Sequence, residues 1–269
     1  MRIFRSIIIL LALFQVLWAM TGQEIMDKME ARDTGKTMHA IMKMTLIDKN
    51  GESRERIIEI WAMIYDEDKN LNQSVMEFKS PATVKGTRFL QIEQDGRNDD
   101  QWIFLPALGR VRRIAASEGN ASFMGSDFSY DDMKLQSGHE GKREHDLLRD
   151  EKIGKHECYV VESRSKNGDD SQYSKLISWI TKEHFIPVRV EFYDKSDGKL
   201  LKVLTIDENI EKVDGIWTVF NTQMENVRES HRTRLTTLRN AEGLPFIEYN
   251  KAIDPRRFTQ NFLQTGQTK

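Results

Sequence analysis

The chain is poor in cysteine and proline, with one cysteine and 5 prolines among its 269 residues. A single cysteine excludes an internal disulfide, even in an oxidising compartment. This residue, Cys158, lies in the apolar run Cys158 to Val161, which is typical of a buried strand and not of a reactive thiol. The fold must therefore form without a disulfide.

Motifs of the common enzyme classes are also missing. The sequence contains no HExxH zinc motif, no paired cysteines and no G-x-S-x-G nucleophile motif. It has neither a phosphate-binding P-loop nor a dinucleotide fingerprint. We therefore expect a protein that is not an enzyme, has no catalytic residue and uses no metal or other cofactor.

Positive charge is not in excess. The chain has 40 lysines and arginines against 42 acidic residues, which gives a formal net charge of −2. A nucleic-acid-binding protein usually carries a basic face and a high isoelectric point. The charge balance therefore argues against nucleic acid as a partner.

The longest apolar run lies at the N-terminus. Arg2 and Arg5 precede a run from Ile7 to Trp18, which only Gln15 interrupts, and the small residue Ala19 follows it. This run is shorter than the roughly 20 apolar residues that a membrane-spanning helix needs, and it has the form of a signal peptide. We predict a signal peptide at residues 1–19 and one periplasmic domain at residues 20–269. An uncleaved anchor is the alternative, because Leu17 is larger than the small residue preferred three positions before the cleavage point.

The rest of the chain follows two hydrophobic periods. Thr21 to Glu24 has the form of a helix capping box, and Ile25 and Met29 continue one apolar helix face. From Thr37 onward the period is mostly two, which predicts about eleven antiparallel strands with short connections. Charged residues recur on the nominal outer face, so a water-soluble curved sheet fits better than a lipid-facing barrel. We predict a mainly β (α+β) fold with a strongly curved sheet whose concave apolar face is covered by helices.

The stretch from residue 101 to residue 133 carries the most specific signal. A strand that breaks at Pro106 leads into a glycine-rich segment with the aromatic residues Phe123, Phe128 and Tyr130. Apolar residues on a mobile loop usually contact something other than water. We predict a lid or docking loop that includes these aromatics and Met124. Replacement of both phenylalanines by serine is expected to weaken apolar-ligand binding with little loss of fold.

The same stretch resembles a known family. The sequence DQWIFLPALGRVRRIA, followed by SFMGSDFSYDDM, is similar to the signature of the LolA-like outer-membrane lipoprotein-sorting proteins of bacteria. The resemblance runs from about Met20 to the C-terminal region and is strongest between Ser80 and Met133. It implies an incomplete barrel that helices cap, a periplasmic location and binding of acyl chains.

Large and adaptable side chains of the first six predicted strands form the candidate apolar cavity. Methionine suits irregular apolar shapes, and a half-closed sheet encloses more volume than its own side chains fill. Each of these residues could also be ordinary core. The candidates are Met42, Met44, Trp61, Met63, Met76, Phe78, Phe89, Trp102 and Phe104.

Arginines near the aromatic strand have two interpretations. Arg110, Arg112 and Arg113 could bind a phosphate or an acylated head group through their guanidinium donors. They could equally form a solvated basic edge that discourages pairing with another sheet. Arg88 is a further candidate, because the resemblance implies an arginine that latches a lid helix.

The sequence therefore predicts a monomeric periplasmic carrier that holds acyl chains of lipids or lipoproteins and contacts membranes peripherally. It would receive cargo at the inner membrane, with a possible exporter as partner, and deliver it to an outer-membrane acceptor. The alternative is an adaptor subunit of an inner-membrane exporter of the RND type that carries no lipid. A cavity that retains lipid favours the first hypothesis, and a filled core with an apolar surface patch favours the second.

Overall fold

The computed structural model describes residues 20–134, 143–166 and 171–269 of the chain. The predicted signal peptide, residues 1–19, lies outside the described residues. Within these three ranges, no helix has the length and apolar character needed to cross a membrane.

The first described element is helix α1, Gly22–Glu30. The hydroxyl of Thr21 accepts a hydrogen bond from the Glu24 amide at 3.2 Å, and the Glu24 carboxylate accepts one from the Thr21 amide at 2.7 Å. The capping box predicted from the sequence is therefore confirmed. Ile25 and Met26 are buried on the face of α1 that meets the sheet.

Strands are the main regular structure of the described residues, as the period-two pattern predicts. The first six are β1 (Thr37–Ile47), β2 (Ser53–Asp66), β3 (Leu71–Ser80), β4 (Arg88–Ile92), β5 (Asp100–Leu105) and β6 (Arg110–Arg113). A short helix, α2 (Tyr130–Lys134), precedes β7 (Arg143–Ile153), β8 (His156–Ser165), β9 (Tyr173–Thr181), β10 (Pro187–Asp194) and β11 (Leu200–Ile206). The last strands are β12 (Ile210–Val213), β13 (Ile216–Val219), β14 (Asn221–Asn226), β15 (His231–Thr237) and β16 (Ile247–Tyr249), and helix α3 (Gln260–Thr265) follows.

One antiparallel sheet organises these strands in the order β6-β5-β4-β3-β2-β1-β15-β14-β11-β10-β9-β8-β7, and β16 pairs with β1. Strands β12 and β13 form a separate hairpin. Within the described residues the edge strands β6 and β7 do not pair with each other, so the curved sheet stays unclosed. The fold prediction is confirmed, although about eleven strands is too low a number for this 14-stranded sheet and its added hairpin.

The register separates two faces of the sheet. Ile60 of β2, Met76 of β3 and Phe89 of β4 lie opposite one another on the face that we call the inner face. Their neighbours Trp61 and Val75 point to the opposite, outer face, because successive side chains of a strand alternate. Both faces carry apolar residues in this part of the sheet, so both need a cover.

Different elements cover the two faces. Helix α1 packs on the inner face against Val161 and Ile180, on β8 and β9. Residues 119–134, which we call the inner segment, pack on the inner face of the first strands. Helix α3 packs Phe262 and Leu263 against the outer face. The prediction that helices cover the concave face therefore holds for α1 and α2, whereas α3 covers the opposite side.

Candidate functional site

Two adjoining hollows lie between the inner face and the elements that cover it. The first lobe has a volume of about 450 Å³ and extends along β1 to β4 beneath the inner segment. The second lobe, of about 400 Å³, extends beneath α1 along β9 to β11 and β14. The two lobes share a wall, which consists of Arg32, Thr34, Asn72, Phe128, Ile186, Val219 and Thr222. We call them together the inner cavity.

The inner cavity is rich in methionine. Four of the predicted cavity residues line the first lobe from the inner face, namely Met42, Met44, Met76 and Phe89. Met63 borders this lobe but packs with Trp61 against the outer-face core. In the second lobe the sulfur-containing side chains are Met26, Met29 and Met224. Unbranched thioether side chains adapt to ligands of irregular shape. The structure therefore brings these residues together, and their role in binding stays a prediction.

Three predicted cavity residues point away from the inner cavity. Trp61, Trp102 and Phe104 lie on the outer face, where they pack with Phe258, Phe262 and Leu263 of the C-terminal region. The sequence shows large apolar residues at successive positions of β5, but it does not show which of them points inward. Their assignment to the cavity is wrong, because α3 makes the outer face of these strands a second apolar core.

Phe78 is on the inner face but is covered. Its ring lies 6.1 Å from the ring of Phe123, measured between centroids, and its side chain is fully buried. Phe78 therefore packs between the sheet and the inner segment and does not line either lobe.

The aromatic residues of the inner segment are core, not exposed loop. Phe123 is 0% exposed, Phe128 2% and Tyr130 6%. The ring of Phe123 packs edge-to-face against Phe89 at 5.0 Å and against Tyr130 at 5.6 Å. The interpretation of these rings as exposed is wrong, because the segment folds into the concave sheet. Whether the segment moves as a lid stays a prediction.

Hydrogen bonds to the backbone of the inner segment hold it in place. Met124 has a positive φ of 54°, and its carbonyl oxygen accepts a hydrogen bond of 2.6 Å from the Arg56 guanidinium. The Tyr130 carbonyl accepts one of 3.0 Å from the Gln101 amide. The turn at Met124 is therefore fixed to β2, and the start of α2 to β5.

A buried polar cluster anchors the end of the inner segment. The Asp132 carboxylate accepts hydrogen bonds from Lys202 Nζ at 2.8 Å, from the Tyr173 hydroxyl at 2.6 Å and from the Ser129 amide at 2.7 Å. Burial, together with the adjacent Asp132 charge, raises the pKa of Tyr173 well above its usual value. The tyrosine thus stays a neutral donor, and α2 is bound to β9 and β11.

A second polar contact joins the middle of the inner segment to β15. Asp127 accepts a hydrogen bond of 2.6 Å from the Thr233 hydroxyl and pairs with the His231 ring. The other ring nitrogen of His231 pairs with Glu229. Burial lowers the pKa of His231, but attraction by the two carboxylates outweighs burial and raises it above the usual 6.5.

This contact predicts a pH dependence. A raised pKa means that the stabilising contribution of protonated His231 is fully present below pH 6.5 and is lost as the pH rises through the raised pKa. Amide hydrogen exchange of residues 123–128, corrected for its intrinsic pH dependence, should therefore become faster over that range. His231→Gln should abolish this change, whereas His156→Gln should keep it. An unchanged profile in His231→Gln would show that the pair does not hold the segment.

The predicted head-group arginines are mostly engaged elsewhere. Arg88 donates to the Leu263 carbonyl of α3 at 2.9 Å and to Glu77 at 3.2 Å. It latches a helix, as the resemblance implies, but this helix lies on the outer face. Arg112 pairs with Glu118 at 2.5 Å and Arg113 pairs with Asp100. Arg110 is exposed on the edge strand β6, and a docking role for this edge stays a prediction.

Sequence reasoning missed the part of the inner cavity that the second half of the sheet provides. Val219, Thr222 and Leu235 line the first lobe, yet they come more than 100 residues after the strands on which the prediction concentrated. The alternation in β14 and β15 is a usable signal for Thr222 and Leu235. Arg32 lies in a loop after α1, and no sequence pattern marks it.

Comparison with known proteins agrees with this architecture. A family model described as an uncharacterised protein matches residues 70–265, more than half of the chain. A putative outer membrane lipoprotein-sorting protein domain from Vibrio parahaemolyticus is 31% identical, with a TM-score of 0.79, over 90% of this chain and 98% of that one. The chain belongs to this LolA-like family. The resemblance seen in residues 100–133 is therefore confirmed.

Two further solved structures are similar to the chain. A DUF1329 family protein from Desulfovibrio piger is 29% identical, with a TM-score of 0.82, over 90% of this chain and 98% of that one. A LolA superfamily protein from Nitrosomonas europaea is 19% identical, with a TM-score of 0.67, over 91% of this chain and 100% of that one. At that lower identity, the similarity shows the shared fold alone. Among curated proteins, none matches the chain.

Proposed function

We propose that this LolA-like protein is a periplasmic carrier of acyl chains. The inner cavity would hold the chains of lipids or lipoproteins during transit from the inner membrane to an acceptor at the outer membrane. The observation that carries this proposal is a two-lobed, methionine-rich cavity on the concave face of a lipoprotein-sorting fold. Each lobe falls within the roughly 300–1,000 Å³ of typical ligand pockets.

The energetics of acyl burial suit a carrier. Removing one methylene from water contributes about 0.8 kcal/mol, so a chain of sixteen carbons contributes on the order of 10 kcal/mol before ordering costs. This is enough to keep a lipid in the cavity during transit. A carrier also needs a way to release the chain, so one of the covering elements has to move.

Helix α1 is the covering element that can move at the lower cost. It has 9 residues and buries Ile25 and Met26 against the sheet, and Met26 and Met29 form part of the second lobe. The inner segment instead buries three aromatic rings and two charged anchors. Opening would therefore begin at the second lobe, by displacement of α1.

Binding without catalysis is part of this proposal. The lining of the inner cavity is mostly apolar, and two of its three acidic residues, Glu93 and Asp132, accept hydrogen bonds from Asn72 and Lys202. An RND-type exporter adaptor that carries no lipid remains the alternative. An adaptor has no need of an unfilled interior, so the volume of the two lobes favours the carrier.

Native mass spectrometry of protein purified from its own periplasm without detergent tests the proposal. We expect bound lipid or acylated peptide at near one-to-one stoichiometry, because the cavity is apolar and sheltered. Lipid extraction of the same sample then identifies the cargo class. A ligand-free mass, combined with no uptake of an acyl probe, would exclude the carrier and support the adaptor.

A substitution at the wall shared by the two lobes should block binding. Thr222→Phe places a ring where both lobes meet, and loss of contact with two methylenes already corresponds to about tenfold in affinity. We therefore expect binding of a neutral acyl probe to weaken by about tenfold or more, as measured by fluorescence titration.

Gln223→Phe is the matched control, because Gln223 is the next residue of β14 and its side chain points to the outer face. It should bind the probe as the unmodified protein does. Equal binding by both variants would place the acyl site outside the inner cavity.

A further inference from the structure

One basic side chain stands out in the inner cavity. Arg32 follows the end of α1 and belongs to the wall that the two lobes share. Among the described residues that line either lobe, it is the only lysine or arginine. A single cation in a mostly apolar cavity needs a reason, because an uncompensated charge away from water is costly.

Among the described residues, one group accepts a hydrogen bond from the Arg32 guanidinium. Its Nη1 donates to the Phe185 carbonyl oxygen at 3.0 Å, and a guanidinium has five N–H donors. No carboxylate of the described residues forms an ion pair with it. Burial lowers the pKa of Arg32, and the nearby Tyr249 partly offsets this effect. Arg32 is thus a partly desolvated cation with free donors.

The acidic side chains of the cavity do not neutralise this cation. Oε2 of Glu93 accepts from the Asn72 amide at 2.7 Å and from its side-chain nitrogen at 3.3 Å. Asp132 is paired with Lys202. Glu30 lines only the second lobe. Thr34, two residues along the chain, also lines both lobes.

We propose that Arg32 binds the anionic head group of the acylated ligand, a carboxylate or a phosphate, at the junction of the two lobes. This inference rests on the carrier function and names its ligand class. A guanidinium forms two parallel charge-assisted hydrogen bonds to either anion. In an apolar cavity such bonds are stronger than in water. The acyl chain then enters a lobe from the junction, which places the head group between the two hollows.

Competition against a neutral fluorescent acyl probe tests this assignment. The competitors share one sixteen-carbon chain and differ in head group: palmitate, monopalmitoyl lysophosphatidic acid and neutral monopalmitoylglycerol, with inorganic phosphate as a fourth. We expect each anionic lipid to bind about tenfold or more tightly than the neutral one, since hydrogen bonds to charged groups are the strong ones. In Arg32→Gln this preference should fall to near one, while binding of the neutral probe is retained.

Two further variants make the result interpretable. Arg32→Lys keeps the positive charge but cannot form the two parallel hydrogen bonds of a guanidinium, so it should retain part of the preference for anionic lipids. It still tests the proposal if the glutamine variant fails to fold. Arg110→Gln removes an exposed arginine that the sequence suggested as a head-group site, and it should keep the full preference. Thermal unfolding of each variant checks that the fold is intact.

The outcomes separate the two proposals. If the unmodified protein binds neither the probe nor any lipid, the carrier function fails and this inference fails with it. If the probe binds but anionic and neutral lipids compete equally, the carrier stands and the role of Arg32 is overturned. A preference that persists in Arg32→Gln overturns it as well. Inorganic phosphate that competes as well as the acyl phosphate would show that the chain is not part of the recognised ligand.

Discussion

Replacing Phe123 with alanine is expected to lower the free energy of unfolding by about 3–5 kcal/mol, the usual range for a fully buried phenylalanine. The ring is 0% exposed and contacts the rings of Phe89, Phe78 and Tyr130. Removing it leaves a hollow among rigid aromatic neighbours that cannot close around it. Urea unfolding followed by circular dichroism measures the change.

Phe246→Ala is the control for this experiment. Its side chain is 43% exposed, so we expect a change of no more than about 0.5 kcal/mol. The hypothesis that these rings form an exposed loop predicts a small effect at Phe123 as well. A loss below about 1 kcal/mol at Phe123 would therefore restore the loop interpretation and would make the inner segment a stronger candidate for the moving lid.

Replacing Asp132 with alanine should have an effect of similar size, about 3–5 kcal/mol, because it leaves Lys202 charged and unpaired in the interior. The side chains of Asp132 and Lys202 are 2% and 9% exposed. The Tyr173 hydroxyl also loses its acceptor. The destabilisation should appear in urea unfolding, with faster hydrogen exchange in α2 as the local signature.

Two comparisons identify the cause of that loss. Glu67→Ala removes one partner of the pair between Lys36 and Glu67, whose side chains are 69% and 68% exposed, and it should cost no more than about 1 kcal/mol. The double variant Asp132→Ala with Lys202→Met removes both buried charges and should be more stable than Asp132→Ala alone. If the double variant loses as much as the sum of both single changes, the two residues are not coupled.

These two predictions bear on how the inner cavity opens. Phe123 packs the turn of the inner segment into the sheet, and Asp132 anchors its end. If both changes destabilise the whole protein, the segment is part of the core. Helix α1 then stays the element that we propose is displaced when the cavity opens. If they only accelerate local exchange in residues 119–134, the segment opens as a unit.

Much of the architecture could be predicted from local pattern. The capping box at Thr21 and Glu24 needs only four consecutive residues, and both of its hydrogen bonds are present. Strand alternation from Thr37 onward predicts an antiparallel sheet, which the structure confirms. The motif in residues 100–133 predicts the LolA-like family, which the comparisons confirm.

The candidate site was harder to predict from the sequence than the fold. Alternation places Trp61 and Ile60 on opposite sides of β2, but it does not state which side is concave. Glycine and serine around Phe123 are typical of a surface loop, yet the segment is buried because a curved sheet leaves space on its inner face. The anchors of the segment are distant in sequence: Asp127 and Thr233 are 106 residues apart, and Asp132 and Lys202 are 70 apart.

The sequence by itself determined the secondary structure, the family and the apolar character of the strands, because these properties depend on neighbouring residues. Only the tertiary structure decided which apolar face encloses a cavity, which aromatic residues are core and which arginine lines the cavity. Arg32 and Phe185 illustrate the reason, since they lie 153 residues apart and meet across the cavity wall. Such contacts follow from the curvature of the sheet, and no local pattern encodes them.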